Sequence, residues 1–166
     1  MALGVTFAGN PLNLPGEQLK VGDKFPDFTV TANDLSPVSL DGTSGLRVFL
    51  TVPSLDTPVC DLEVRTFNEK AGALPGVSVY AVSKDLPFAQ ARWCGAAGVE
   101  AVSALSDYAA NSFGNATGTL IAELQLLARA VFVVDAEGSV VYVEYVPEVT
   151  EQPNFDAVIA KLEELV

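Results

Sequence analysis

Continuous apolar runs separated by helical patterns constrain this chain more than any other feature. Residues 46–52 (Leu-Arg-Val-Phe-Leu-Thr-Val), 77–83 (Val-Ser-Val-Tyr-Ala-Val-Ser) and 102–105 (Val-Ser-Ala-Leu) read as strands. Residues 58–71 and 87–95 between them read as helices. Strands that are apolar on both faces belong in a sheet covered on both sides, and helices between strands supply the cover. Residues 28–32 alternate as a further strand, with 37–40 as a short partner. Residues 128–134 and 140–146 flank Asp135-Ala136-Glu137-Gly138 as a hairpin. A hairpin is also expected near the amino terminus, at about residues 3–14, turning at Gly9-Asn10-Pro11. Residues 108–113 suggest a helical turn, and 115–121, with Gly118, a loop. Residues 154–166 place Phe155, Val158, Ile159, Leu162 and Leu165 on one side of a closing helix. The expectation is an α/β chain with a mixed central sheet flanked by helices, in one domain over residues 1–166.

Charge and composition exclude several functions. The net charge of −12 argues against binding nucleic acid, which needs clustered Lys and Arg, and against anionic membrane surfaces. A neutral small substrate is unaffected by it. No apolar run approaches the roughly 18 residues of a membrane span. The first residues lack a basic segment leading into a long apolar stretch, so the expected location is the cytoplasm. In that compartment two cysteines are not expected to form a permanent structural disulfide. They are too few for a four-cysteine zinc site, and the chain has no histidine to complete one.

The chemistry concentrates in Pro53-Ser54-Leu55-Asp56-Thr57-Pro58-Val59-Cys60, directly after the first apolar run. Thr57 followed by Pro58 reads as a helix N-cap with proline at the first helical position. Cys60 then falls in the first helical turn, where backbone N–H groups lack intrahelical partners and the dipole favours negative charge. A thiol there is biased toward the nucleophilic thiolate. Asp56, Asp61 and Glu63 oppose that bias, and no Cys-His pair can form. A cation must come from elsewhere, and Arg129, at the head of an apolar run, is the candidate. Plainer readings stand beside these: an inert buried thiol for each cysteine, an ordinary N-cap for Thr57, a strand terminator for Pro53, and a surface or structurally paired residue for Arg129.

Pro53, Thr57 and Cys60 fit the Pro-x-x-x-Thr/Ser-x-x-Cys motif of peroxiredoxins, which the chain resembles over nearly its whole length. The longer string Pro53 to Asp61 is similar to the bacterial thiol peroxidase subfamily, of the atypical two-cysteine type. So is Asp85-Leu86-Pro87-Phe88-Ala89-Gln90-Ala91-Arg92-Trp93-Cys94-Gly95, whose Cys94 stands where that subfamily carries its resolving cysteine. Leu127-Ala128-Arg129-Ala130 resembles the strand bearing its active-site arginine.

The resemblance implies a thioredoxin-like fold to which the amino-terminal hairpin is an addition. It implies a thiol-dependent peroxidase acting on hydrogen peroxide and organic hydroperoxides. Cys60 would attack the peroxide and become a sulfenic acid, and Cys94 would close an intrachain disulfide for thioredoxin to reduce. Arg129, the helix start and Thr57 would support the reacting oxygens, and Pro53 would shield the sulfur. A homodimer is also implied; a metal, haem or flavin is not. Leu55, Leu120 and Ile121 could line a pocket for organic peroxides or serve as core. Two other functions remain compatible with such a fold. A protein-disulfide reductase normally has two close cysteines, unlike Cys60 and Cys94, and a redox-inert binding module would keep the fold alone.

Overall fold

The run Leu46–Thr51 is buried from its second residue onward, with Val48, Phe49 and Leu50 at zero exposure. Successive strand side chains point to opposite faces, so such a strand must be covered on both. The computed structural model describes residues 3–166. In chain order the elements are β1 (Leu3–Phe7), β2 (Asn10–Leu14), β3 (Thr29–Ala32), β4 (Pro37–Ser39), β5 (Leu46–Thr51), α1 (Pro58–Lys70), β6 (Val77–Ser83), α2 (Pro87–Ala97), β7 (Val102–Ser106), α3 (Ser112–Thr117), β8 (Leu120–Ile121), β9 (Leu126–Leu127), β10 (Ala130–Val134), β11 (Val140–Tyr145) and α4 (Phe155–Leu165). Seven strands form a mixed sheet in the order β11-β10-β5-β6-β7-β3-β4. The β5–β6 and β6–β7 pairs are parallel, with α1 and α2 as their crossovers; the other pairs in this sheet are antiparallel. This is the mixed α/β arrangement expected from the order of elements, in the thioredoxin-like form that the resemblance implies.

Alternation along β5 divides the core. Val48 and Leu50 pack with Val64 and Phe67 of α1 and Val158 and Leu162 of α4, and Cys60 belongs to this cluster. Phe49 faces the other way, into Phe25, Phe28, Phe113 and Phe132. Phe25 stacks on Phe49 at 4.9 Å, and Phe28 meets Phe113 edge-on at 4.9 Å. Offset and edge-on ring pairs add to simple burial. Leu165, expected on the apolar stripe of the last helix, is largely exposed; Val158 and Leu162 carry the burial. No helix among the described residues is long and apolar enough to cross a membrane.

Three local expectations are corrected. The helical turn expected at 108–113 lies further on, as α3, because the buried Asp107 carboxylate accepts hydrogen bonds from Phe113 N and Gly114 N and so sets the helix start. The loop expected at 115–121 comprises the end of α3 and strand β8, which pairs with β9. The strand expected from 128 begins at Ala130, and Arg129 sits in the step between β9 and β10.

The amino-terminal hairpin pairs Leu3 to Leu14 through Phe7 to Asn10. Its turn is Ala8-Gly9 and not the expected Gly9-Asn10-Pro11: both residues have positive φ, as two-residue hairpin turns prefer, and Asn10 and Pro11 already belong to β2. Thr6 N donates to Pro147 O, and Val149 N donates to Thr6 O. The Glu148 carboxylate accepts from Thr6 Oγ1 at 2.9 Å, Ala8 N at 3.1 Å and Gly9 N at 2.8 Å. Hydrogen bonds from Thr150, then from Gly9 and Thr6, hold the Glu148 pKa down at about 2. A depressed carboxylate stabilises above its unfolded value, roughly 4.3, and the contribution is lost as pH falls through the folded value. Amide exchange protection at Ala8 and Gly9 should therefore decline between about pH 4.5 and 2, and Glu148→Gln should lower it already at pH 6. Unchanged protection in that variant would refute the clamp.

Candidate active site

Thr57 has extended backbone angles (φ −108°, ψ 148°) and N-caps α1, with Pro58 next. Its hydroxyl donates to Ser54 O at 3.1 Å and accepts from Cys60 N at 3.4 Å. A hydroxyl has one proton and two lone pairs, so one lone pair is left for another donor. Capping and substrate contact are thus compatible. Pro53 is buried just beyond β5, where its missing N–H removes nothing from the ladder.

Cys60 has no exposed surface. Arg129 Nη2 donates to its Sγ at 3.2 Å. The guanidinium is itself only 1% exposed, and a charge so placed needs partners. Nη1 donates to Glu63 Oε1 at 2.9 Å, and Nε and Nη2 donate to Val149 O at 3.1 and 2.8 Å. Among the described residues these contacts engage four of the five N–H bonds that a guanidinium carries.

The three acids near Cys60 separate in space. Glu63 lies one helical turn after Cys60 on the same face, so it meets the same guanidinium. Asp61 pairs with Arg65 at 2.9 Å, away from the sulfur, and Asp56 is exposed. Glu63 Oε2 has no hydrogen-bond partner among the described residues. Burial pushes the Glu63 pKa up to about 7, against the lowering pull of Arg129. The upward direction prevails because the loss of solvent around the carboxylate outweighs the attraction of Arg129, and the charge of Glu144 adds to it.

A small cavity of about 160 Å³ adjoins this group, lined by Phe7, Pro53, Thr57, Pro58, Val59, Arg129, Val149 and Thr150. Leu120 and Ile121 do not reach it; both are core, as is Leu55. Cys94 lies in the last turn of α2, not at its end, since the helix continues through Gly95 to Ala97. Gly98, at φ 69°, stops it and donates its N–H to Cys94 O. Both cysteines are free thiols, and burial raises the pKa of Cys94.

The fold therefore brings Pro53, Thr57, Cys60 and Arg129 together and leaves Cys94 on a separate helix. Three participants go beyond what the residues alone suggest. Glu63 reads in the sequence as an opponent of the thiolate, although its i+3 spacing from Cys60 is legible there. The Val149 carbonyl leaves no sequence signal. Asp85 accepts from Ser54 Oγ at 2.7 Å, Leu55 N at 2.8 Å and Ser83 Oγ at 2.8 Å, which ties the Cys60 loop to the start of α2.

A redoxin family model matches residues 20–159. A thiol peroxidase of Clostridium acetobutylicum is 56% identical over 155 residues, covering 93% of this chain and 94% of that one. The chain belongs to the bacterial thiol peroxidase family. A second member, from Bacillus subtilis, is 52% identical over 163 residues, covering 98% of both chains. The crystal structure of a peroxiredoxin-like protein from Aquifex aeolicus superposes with a TM-score of 0.92 at 44% identity over 99% of both chains. A thiol peroxidase from Chromobacterium violaceum, at 23% identity and TM-score 0.90 over 98% of this chain and 96% of that one, shows the shared fold.

The Glu63 shift has a testable sign. Its folded pKa lies above the unfolded value, so its contribution to stability is full below roughly pH 4.3 and declines as pH rises through about 7. Glu63→Gln removes that decline. In urea unfolding the variant should gain stability relative to the parent between pH 5 and pH 8. A constant difference across that range would show that Glu63 is ionised throughout.

Proposed function

We propose that this family member reduces peroxides with Cys60 as its nucleophile. The observation that carries the reading is the Arg129–Cys60 contact beside an apolar cavity that Thr57 also lines. The Cys60 thiolate attacks the terminal peroxide oxygen. An S–O bond forms, the O–O bond breaks, and its electron pair leaves with the second oxygen. That oxygen takes up the proton released by Cys60, giving water or an alcohol and leaving Cys60 sulfenic acid. Negative charge grows on the departing oxygen, which is where fixed donors are most effective. The remaining Arg129 N–H and the N–H groups of the α1 start supply them, and the spare lone pair of Thr57 accepts the peroxide O–H. Pro53 walls the sulfur from water. The apolar lining from Phe7, Val59 and Val149 suits organic hydroperoxides as well as hydrogen peroxide.

Cys94 then displaces hydroxide from the sulfenic sulfur, closing a disulfide with release of water. A dithiol protein, thioredoxin by family resemblance, reduces that disulfide. The same resemblance supports a cytoplasmic homodimer built from one domain per chain. A protein-disulfide reductase fits less well, because it normally has two close cysteines and Cys60 and Cys94 stand on separate helices.

Peroxide consumption with excess dithiol tests the reading. Cys60→Ser should abolish turnover with the fold intact. Cys94→Ser should consume one peroxide per chain and stall at the sulfenic acid. Arg129→Ala should slow the peroxide step by roughly a hundredfold or more, the scale seen when a single transition-state donor is removed. Normal turnover by Cys60→Ser would overturn the assignment of the nucleophile.

A further inference from the structure

Helix α2 is tied to α1 on either side of Cys94. Trp93, the residue before it, donates its indole Nε1–H to Asp61 Oδ1 at 2.9 Å. Ala97, three residues after it, offers its carbonyl to Arg65 Nη1 at 3.2 Å. Asp61 and Arg65 are themselves joined, Nε to Oδ2, at 2.9 Å, and the Arg65 guanidinium lies 5.7 Å from the centre of the Trp93 ring. Asp61 and Arg65 belong to α1, one and five positions after Cys60. One acid–base pair thus grips the Trp93 side chain and one of the last carbonyls of α2, which have no intrahelical partner.

The two ends of α2 are held differently. At its start Gln90 is fully buried and donates to Ser83 Oγ and Leu105 O, and Asp85 anchors the preceding loop. At its end Gly95, Ala96 and Gly98 are exposed and contribute almost no packing. Trp93, Ala96 and Ala97 line a groove facing Asp61 and Arg65. Cys94 lines a different groove, with Tyr80, Val102 and Ala104 of the sheet. Neighbouring helix residues diverge by about 100°, so turning the Cys94 sulfur toward Cys60 within an intact helix displaces Trp93.

We propose that Asp61 and Arg65 form a latch that holds the Cys94 end of α2 folded, and that opening this latch limits conversion of the Cys60 sulfenic acid to the disulfide. The proposal rests on the reading of Cys60 as the nucleophile and Cys94 as the resolving thiol. In the gated step, Cys94–SH and Cys60–SOH become Cys60–S–S–Cys94 and water: the S–S bond forms, the S–O bond breaks, and the thiol proton leaves with hydroxide. The competing step consumes a second peroxide, Cys60–SOH plus ROOH giving Cys60–SO₂H plus ROH, and ends the cycle. Opening the latch favours the first outcome twice, because it frees the helix and returns to water a thiol whose pKa burial had raised. Asp61 and Arg65 act through Cys94, as positioning residues.

Arg65→Met keeps the aliphatic stem and removes both hydrogen bonds; Asp61→Ala removes the other half of the latch. Reduced protein is mixed with a series of hydrogen peroxide concentrations and followed by Trp93 fluorescence, with acid-quenched samples assayed by mass spectrometry for disulfide and sulfinic acid. The phase independent of peroxide concentration reports disulfide closure. It should accelerate roughly three- to tenfold in both variants, the scale of one or two half-exposed polar contacts. The sulfinic fraction at fixed peroxide excess should fall by a similar factor. The concentration-dependent phase should stay within about twofold in Arg65→Met, which a general loosening of the site would not produce. Arg65→Lys, which keeps the charge but not the forked geometry, should fall between. An unchanged or slower closure phase in both variants would overturn the latch. Cys94→Ser is the separate control: if it traps no sulfenic acid, the assignment of Cys60 and Cys94 fails, whereas normal trapping with unchanged closure rejects the latch alone.

Discussion

The site depends on one buried guanidinium. Arg129 is almost without exposed surface, and an unpartnered charge in that position costs several kcal/mol or more. Its partners come from two places that do not touch in sequence: Cys60 and Glu63 on α1, and the Val149 carbonyl beyond β11. Demand for partners is therefore demand for assembly, since the guanidinium is satisfied only when both segments are in place. The amino-terminal hairpin joins the arrangement through the same segment, because Thr6 and Glu148 fasten it beside Val149. An addition at the edge of the fold thereby supports the centre of the site and supplies Phe7 to the cavity.

The two faces of the sheet serve different purposes. One is an aromatic layer in which Phe49 touches Phe25, Phe28 and Phe113, and large rings in mutual contact leave little room for rearrangement. The other carries both cysteine helices. There α1 is pinned by the fully buried Val64 and Phe67, while the far end of α2 packs through the half-buried Trp93, Cys94 and Ala97, between exposed glycines and alanine. Firmer packing under Cys60 than under Cys94 suits the proposed cycle, in which one sulfur keeps its place among fixed donors and the other travels.

Much of this is legible in the residues because the relevant signals are local. Continuous apolar runs mark strands covered on both sides, and Thr57-Pro58 marks the start of α1 by residue type alone. What escapes a reading of the residues is set by particular side-chain and strand contacts that no periodicity announces. Strands β8 and β9 are two residues each, too short for any periodicity, and exist because Leu120 and Leu127 find each other. Helix α3 begins where the Asp107 carboxylate can reach Phe113 N and Gly114 N. Arg129 is marked by a charge standing before an apolar run together with family resemblance, whereas the part played by Glu63 is not. Closeness to Cys60 in the chain measures repulsion only until a cation stands between them. Gly95 and Gly98 together read as the stop of α2, and only the second acts as one: the helix runs through Gly95 to Ala97, and Gly98 supplies the left-handed turn.

The carbonyl that aims Arg129 has a consequence for how the molecule is made. Cys60 leaves the ribosome roughly 90 residues before Val149, an interval of about five to twenty seconds at ordinary translation rates. During that interval the nascent chain carries a cysteine without its guanidinium, without the carbonyl that orients it and without the cavity in front of it. The hydrogen-bond cluster around Cys60 is thus assembled only after the chain through Val149 has been made.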